Sequence, residues 1–509
     1  MFTLEITGTD LSIEQLWHAV QTPGVQARLS PQARQQMERS RQLVQRWIER
    51  HEPVYGVTTG FGRLATVRLP DDELVAAQYN LIRSHSVGAG EWLPAEIVRA
   101  MLLLRANTLA RGYSGVRPEV VELLLELFNA GIVPAIPRQG SVGASGDLVQ
   151  LSHLALVLIG EGWCLTESGL QPAGDVLRQH GLSPLRLQPK EGLALINGTQ
   201  MATAYGALGV YRARLLGLSA DIIAALSVDA LRGTDRAYDA RIHRLRPFPG
   251  QLRSAQRLWA LLQGSQIRES HRTNDPRVQD PYSLRCIPQV HGASLDAIEY
   301  VWRVVQTELC SVNDNPIVDP ESGEHLEGGN FHGQPLALAL DFLAIACAEL
   351  ASISERRIDR LVSGSDDGLP PFLTPRPGVC SGLMLAQYTA ASLVSENKVL
   401  CHPASVDSIP TSAGQEDHNS MASIAAQKVW QVIENLQTVL AIELLCAAQA
   451  IEFRRPLRSS PPLERVLELV RAHVPPVESD RPLFGDIERL RTLIGSGALL
   501  ELALPQEAQ

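Results

Sequence analysis

Residues 420–453 read SMASIAAQKVWQVIENLQTVLAIELLCAAQAIEF. Ile424, Val429, Val432, Leu436, Val439, Leu440 and Leu444 make a broad apolar stripe at helical spacing. So wide a stripe suits a helix covered on several faces at the centre of a bundle. The segment from about Pro335 to Val362 repeats the pattern, apolar for five turns and then SERRIDRL, with arginines in the C-terminal half where the helix dipole favours cations. A shorter helix is expected from Leu148, where Leu151, Leu154, Ala155, Leu158 and Ile159 recur every three or four residues.

Strand-like segments are short and few, and no βαβ alternation is visible. Proline, glycine and polar residues cluster at 53–62, 134–146, 244–250, 274–292, 311–335, 364–379 and 402–418. With no long low-complexity spacer, these read as connections between helices rather than as domain linkers. The fold expected is mainly α: an elongated central helical bundle with a smaller, loop-rich N-terminal part. Residues 1–200 would carry the loops and 201–509 the long helices, as one continuous unit.

The 509 residues are 45% hydrophobic and 20% charged, which excludes general disorder. A formal net charge of −10 argues against a broad nucleic-acid surface. The only lysines are Lys190, Lys398 and Lys428, so a Schiff-base mechanism has three candidates. Seven dispersed cysteines without a CxxC pair read as reduced thiols. The first residues lack a basic and an apolar region, so no secretory signal is expected. Asp341 and Glu349 interrupt the apolar run 336–353, which argues against a membrane span. The expectation is a soluble, cytoplasmic protein with no membrane or nucleic-acid partner.

The loops hold the chemistry. Gly140-Ser-Val-Gly-Ala-Ser-Gly-Asp147 invites a phosphate-cradle reading but lacks a GK[ST] ending and a preceding strand. Read plainly, it is a glycine-rich turn before a helix, with Asp147 as a first-turn acid. Ala144-Ser145-Gly146 permits a third reading. The Gly146 nitrogen, unhindered by a Cβ, can attack the carbonyl two residues earlier, and loss of water there and from Ser145 leaves a conjugated ring with an exposed methylene. The positive end of the following helix would point at that ring. No HExxH or Cys/His ligand set is present, so no metal is expected.

GSVGASGDL, together with YGVTTGFG, ALINGTQ, QDPYSLRC, SVNDNP, GGNFHG and HPASVDSIPTSAGQEDHNSM, resembles the aromatic amino acid ammonia-lyases. The motifs run in family order over residues 53–453 and come nearest the histidine-specific members. The resemblance implies that Ala144-Ser145-Gly146 matures by itself into 4-methylideneimidazole-5-one (MIO), an electrophile that makes ammonia a competent leaving group, with no dissociable cofactor. It makes Tyr55 the base for the β-proton, on a loop that Gly56, Gly60 and Gly62 would let close as a lid. A phenol titrates near pH 10, so that role needs burial beside positive or hydrogen-bonding groups. It adds Tyr282 to the catalytic set and makes Arg285 the partner of the substrate carboxylate, suited to its planar fork. Asn197 is placed beside ring and substrate, and Phe331 against the bound aromatic group.

Ser84-His85 and Gln415-Glu416 stand where substrate choice is made. The histidine-specific members carry Ser-His and glutamate there. A carboxylate can accept a hydrogen bond from an imidazole N–H and is costly to bury against a phenyl ring. His402 and His418 are weaker candidates. Thr58, Arg83, Gln150, Cys380 and Gly414 depart from the commonest histidine-type pattern. The expected reaction is elimination of ammonia from L-histidine to give trans-urocanate, in histidine catabolism, by a homotetramer whose sites are shared between subunits. A histidine or tyrosine 2,3-aminomutase and a tyrosine ammonia-lyase use the same motifs. A scaffold protein that has lost catalysis is the reading from another class.

Overall fold

A computed structural model describes residues 3–275, 277–364 and 368–504. Among them are 20 α-helices and nine strands of two to four residues, and the mainly α expectation holds. The three helices read from periodicity are Leu148–Leu158, Gln334–Ser363 and Ala422–Glu452. In the last, Val429, Val432, Leu436, Val439, Leu440 and Leu444 are fully buried. Ile424 is the exception to the stripe at 42% exposed, because this chain supplies no cover for its face.

Among the described residues two helices, Gln334–Ser363 and Ala422–Glu452, could cross a membrane by length and composition alone, but 67% and 83% of their apolar windows are buried inside the fold. None of the seven cysteines forms a disulfide, and Cys164, Cys347, Cys380 and Cys446 are buried.

The fold divides into two compact units. The first holds residues 1–211, 302–341 and 403–427. Contrary to the expectation that no βαβ alternation exists, its N-terminus is one such unit. Strand Thr3–Ile6 pairs in parallel with Gln26–Leu29, and helix Ile13–Gln21 crosses between them. Four-residue strands leave too little alternation to be read. That helix starts on a capping box: the Ser12 hydroxyl accepts from the Gln15 amide, and the Ser12 amide donates to the Gln15 side chain. Below the loop that starts at Tyr55, the buried cluster Leu43, Val44, Trp47, Val54, Val57 and Val318 forms a floor. Val54 and Val57 flank the tyrosine, so burying them fixes where its ring leaves the backbone.

The second unit holds residues 212–301, 342–402 and 428–509. Its core contains a hydrogen-bonded set of charges. Arg257 and the Ser254 hydroxyl donate to Asp221, each at 2.8 Å. His291 Nδ1 lies 2.8 Å from the same carboxylate, and Arg357 pairs with Glu443. Such charges are tolerated in a core only when paired in this way.

Candidate active site

The glycine-rich turn is clamped by backbone on both sides. The Gly146 amide donates to Gly143 O at 3.3 Å, the Gly198 amide to Ser145 O at 3.2 Å, and the Asp147 amide to Gly198 O at 2.7 Å. A Cβ at Gly146 would stand 2.0 Å from Gly198 O, so only glycine fits there. Ser145 has φ 50°, in the left-handed region where a side chain is strained. Ser141 Oγ donates to Gly146 O at 2.9 Å, and the Met421 amide donates to Val142 O at 3.0 Å.

Asp147 precedes helix Leu148–Leu158 but does not cap it. Its carboxylate instead accepts from the Ala202 amide at 3.0 Å, at the start of helix Gln200–Ala230. The expectation of a local first-turn acid is corrected by this long-range bond. Burial, opposed by the backbone donors, pushes the Asp147 carboxyl up to about 7.

A cavity of about 480 Å³ opens beside Ser145. Tyr55, His85, Ser145, Asn197, Phe331, Gln415 and Glu416 all line it. Ala144 and Gly146 flank Ser145 on the chain and are not among the lining residues. Tyr55 Oη accepts from the Gly62 amide at 3.1 Å. Burial pushes the phenol up, and Glu416 and Glu327 push it the same way, while the Gly62 amide alone opposes them. Of the positive or hydrogen-bonding groups expected beside Tyr55, the Gly62 amide is present, and no cation figures among the influences that shift the phenol. His85 is held down by burial, against the pull of its bond to Leu81 and of Glu416, which favours neutral imidazole. The Thr411 hydroxyl donates to Glu416 at 2.7 Å, and Asn419 Nδ2 donates to Ile409 O at 2.6 Å across the same loop.

Ser84 is not a lining residue. It is exposed, donates to Leu81 O at 3.1 Å and stands 3.1 Å from His85 Nδ1, so it orients the imidazole. His418 stacks on His332 with centroids 5.8 Å apart, and the His402 carbonyl accepts from Lys428; neither histidine lines the cavity. Asn197 caps the buried helix Glu191–Ile196. Its Nδ2 donates to Asp314 Oδ1 at 3.2 Å and Asn315 O at 3.0 Å, while Oδ1 is buried without a partner.

Tyr282 and Arg285 belong to the second unit, on the single turn Tyr282–Arg285, and are not among the lining residues. Tyr282 is 70% exposed. The Arg285 guanidinium lies 4.5 Å over the Tyr282 ring, and its Nε is buried without a hydrogen-bond partner. Tyr238 Oη holds this turn by donating to Leu284 O at 2.8 Å.

Sequence reading missed Phe61, Leu81, Leu148, Asn315, Glu327 and Ser412, which also line the cavity. Phe61, Leu148, Asn315 and Ser412 lie inside quoted motifs and Glu327 directly before GGNFHG, so membership of or proximity to a motif was the available signal.

The family model described as aromatic amino acid lyase matches residues 11–472. A histidine ammonia-lyase of Deinococcus radiodurans is 52% identical over 504 residues, covering 99% of this chain and 96% of the relative. The crystal structure of histidine ammonia-lyase from Trypanosoma cruzi superposes with TM-score 0.93 at 45% identity, covering 100% of this chain and 96% of that one. Tyrosine aminomutase from Streptomyces globisporus also gives TM-score 0.93, at 37% identity and 98% coverage of both chains.

Proposed function

The chain belongs to the aromatic amino acid lyases, and on that premise we propose that it eliminates ammonia from L-histidine to give trans-urocanate. The observation that carries this reading is that Ser145, Tyr55, His85 and Glu416 line one cavity. His85 and Glu416 offer an imidazole its hydrogen-bonding partners, and Phe331 and Leu81 offer its ring apolar contact. Against a phenyl ring the carboxylate would keep only its bond from Thr411 and gain no partner from the substrate, which turns the site toward histidine.

The turn fits the ring that the family implies. It has a left-handed serine, a glycine with no room for a Cβ, and a clamp of three backbone bonds around Ala144-Ser145-Gly146. Matured there, 4-methylideneimidazole-5-one would supply the electrophile that makes ammonia a competent leaving group. Tyr55 Oη takes the β-proton, with the Gly62 amide stabilising the phenolate. A cation beside the raised phenol would further favour its ionised form. Arg285 is the cation proposed, binding the substrate carboxylate through its fork, with Tyr282 next to it.

Those two residues are read as completing the cavity of another copy in a homotetramer. Exposed Leu338, Phe342 and Ile345, on one face of helix Gln334–Ser363, support such an assembly. The enzyme is read as cytoplasmic, acting on a small amino acid with no metal or dissociable cofactor.

A substrate panel tests this. L-Histidine, L-tyrosine and L-phenylalanine are each followed for the absorbance of the conjugated acid and for β-amino acid formation. Urocanate is expected as the main product. A β-amino acid as the main product would make the protein an aminomutase, an outcome the similar tyrosine aminomutase fold keeps in play.

A further inference from the structure

Helix Glu191–Ile196 is pinned at both ends by one acidic residue. Lys190, just before it, is fully buried in the left-handed region at φ 73°. Its ammonium donates to Asp314 Oδ2 at 2.7 Å, and neither side chain is exposed. Asn197, at the other end, donates from Nδ2 to Asp314 Oδ1, which also accepts from the Asn315 amide at 2.7 Å. Asp314 therefore meets three donors. The Asn197 carbonyl is held in turn by Arg105 Nη1 at 3.0 Å, and Arg105 also donates to Gln200 Oε1 at 2.7 Å.

This arrangement dictates which way the Asn197 amide points. Its two ends have nearly the same shape, so surrounding donors and acceptors decide the orientation. Asp314 Oδ1 and Asn315 O are both acceptors, and only the NH₂ end can face them. The oxygen is left buried and unpartnered, on a residue that lines the cavity. Lys190 supplies the charge without which Asp314 would be a buried, unpaired anion.

We infer that Lys190 and Asp314 are positioning residues for the reaction: their buried ion pair fixes the orientation of the Asn197 amide in the cavity wall. The inference rests on the proposed function in taking Asn197 as a substrate-facing residue. Lys190 is thereby drawn out of Schiff-base chemistry, since its nitrogen is committed to Asp314.

The test uses the full chain, with ring content measured by intact mass and turnover normalised to it. Asp314→Asn places a donor where an acceptor stood and is expected to flip the amide, lowering kcat about a hundredfold. In an Asn197→Ala background the same substitution is expected to change kcat less than about threefold, because its effect passes through the lost amide. Lys190→Met is expected to lose kcat like Asp314→Asn, while Lys190→Arg, which keeps a cation, retains most of it. Unchanged kcat in Asp314→Asn, additive losses in the double variant, or equal losses in Lys190→Met and Lys190→Arg would overturn the inference. If Asp314→Asn yields no folded protein, the Lys190 pair decides. The wild type separates the two readings. A matured wild type that makes no urocanate refutes the proposed function, and the comparison moves to whichever amino acid it does convert. If it converts none, both fall.

Discussion

Thr58, Arg83, Gln150 and Gly414 depart from the histidine-type pattern, yet each has a local task outside the chemistry. The Thr58 hydroxyl donates to Glu52 O at 2.6 Å and accepts from the Val54 amide at 2.8 Å, tying down the base of the Tyr55 loop. Arg83 makes a two-pronged pair with Glu161, and Gln150 donates to Arg138 O at 3.2 Å. Gly414 sits at φ 83°, a conformation asparagine also tolerates. Residues facing the cavity are where function should respond. Glu416→Gln is expected to lower kcat/KM for L-histidine about ten- to a hundredfold, with a smaller loss for L-tyrosine, checked by steady-state kinetics on both. Ser145→Ala is expected to keep both waters that ring formation would remove, so that its intact mass equals that of its unmodified sequence, and to lose the ammonia-lyase reaction.

At the scale of elements, two helices and one turn meet around Asp147. The turn requires glycine at 146, because a methyl there would strike Gly198 O. Gly146→Ala is accordingly expected to block ring maturation by intact mass and to destabilise the fold by about 1–3 kcal/mol in a melting experiment. Asp147 links the turn to helix Gln200–Ala230, and its carboxyl titrates at about 7 in the fold against 3.8 otherwise. Between those values the folded chain holds a proton that the unfolded chain has released, so this group's contribution to stability falls as pH rises from about 4 to about 7. Asp147→Asn keeps an acceptor for Ala202 and cannot ionise. Its Tm is expected to fall less than that of the wild type between pH 5 and pH 8, as calorimetry can read.

For the whole molecule, the question is where Arg285 acts. The cavity groups raise Tyr55 without a compensating cation, while Arg285 lies over an exposed Tyr282. Sharing sites between copies would answer both facts at once. Ser145→Ala chains and Arg285→Ala chains, each inactive alone, are expected to regain roughly a quarter of wild-type activity when unfolded together and reassembled as random mixtures. Sites formed within one chain would stay inactive in the mixture. Dilution to a monomer is likewise expected to abolish turnover, followed by sedimentation and assay on the same sample.

What the residues determined alone was local. Helical periodicity located Leu148–Leu158, Gln334–Ser363 and Ala422–Glu452, because a 3.6-residue repeat depends only on neighbours in the chain. The motifs named Tyr55, Ser145, His85, Asn197, Phe331, Gln415 and Glu416, and all of them line the cavity. Tertiary structure decided whatever depends on partners far along the chain. It turned Asp147 from a local cap into a cap for another helix, and it drew Glu327 and Asn315 to the cavity wall. It also committed Lys190 to Asp314, 124 residues away. The reason is physical: a hydrogen bond, a desolvated charge or an unfilled acceptor belongs to a pair of groups in space, and no spacing within one segment encodes who the second member will be.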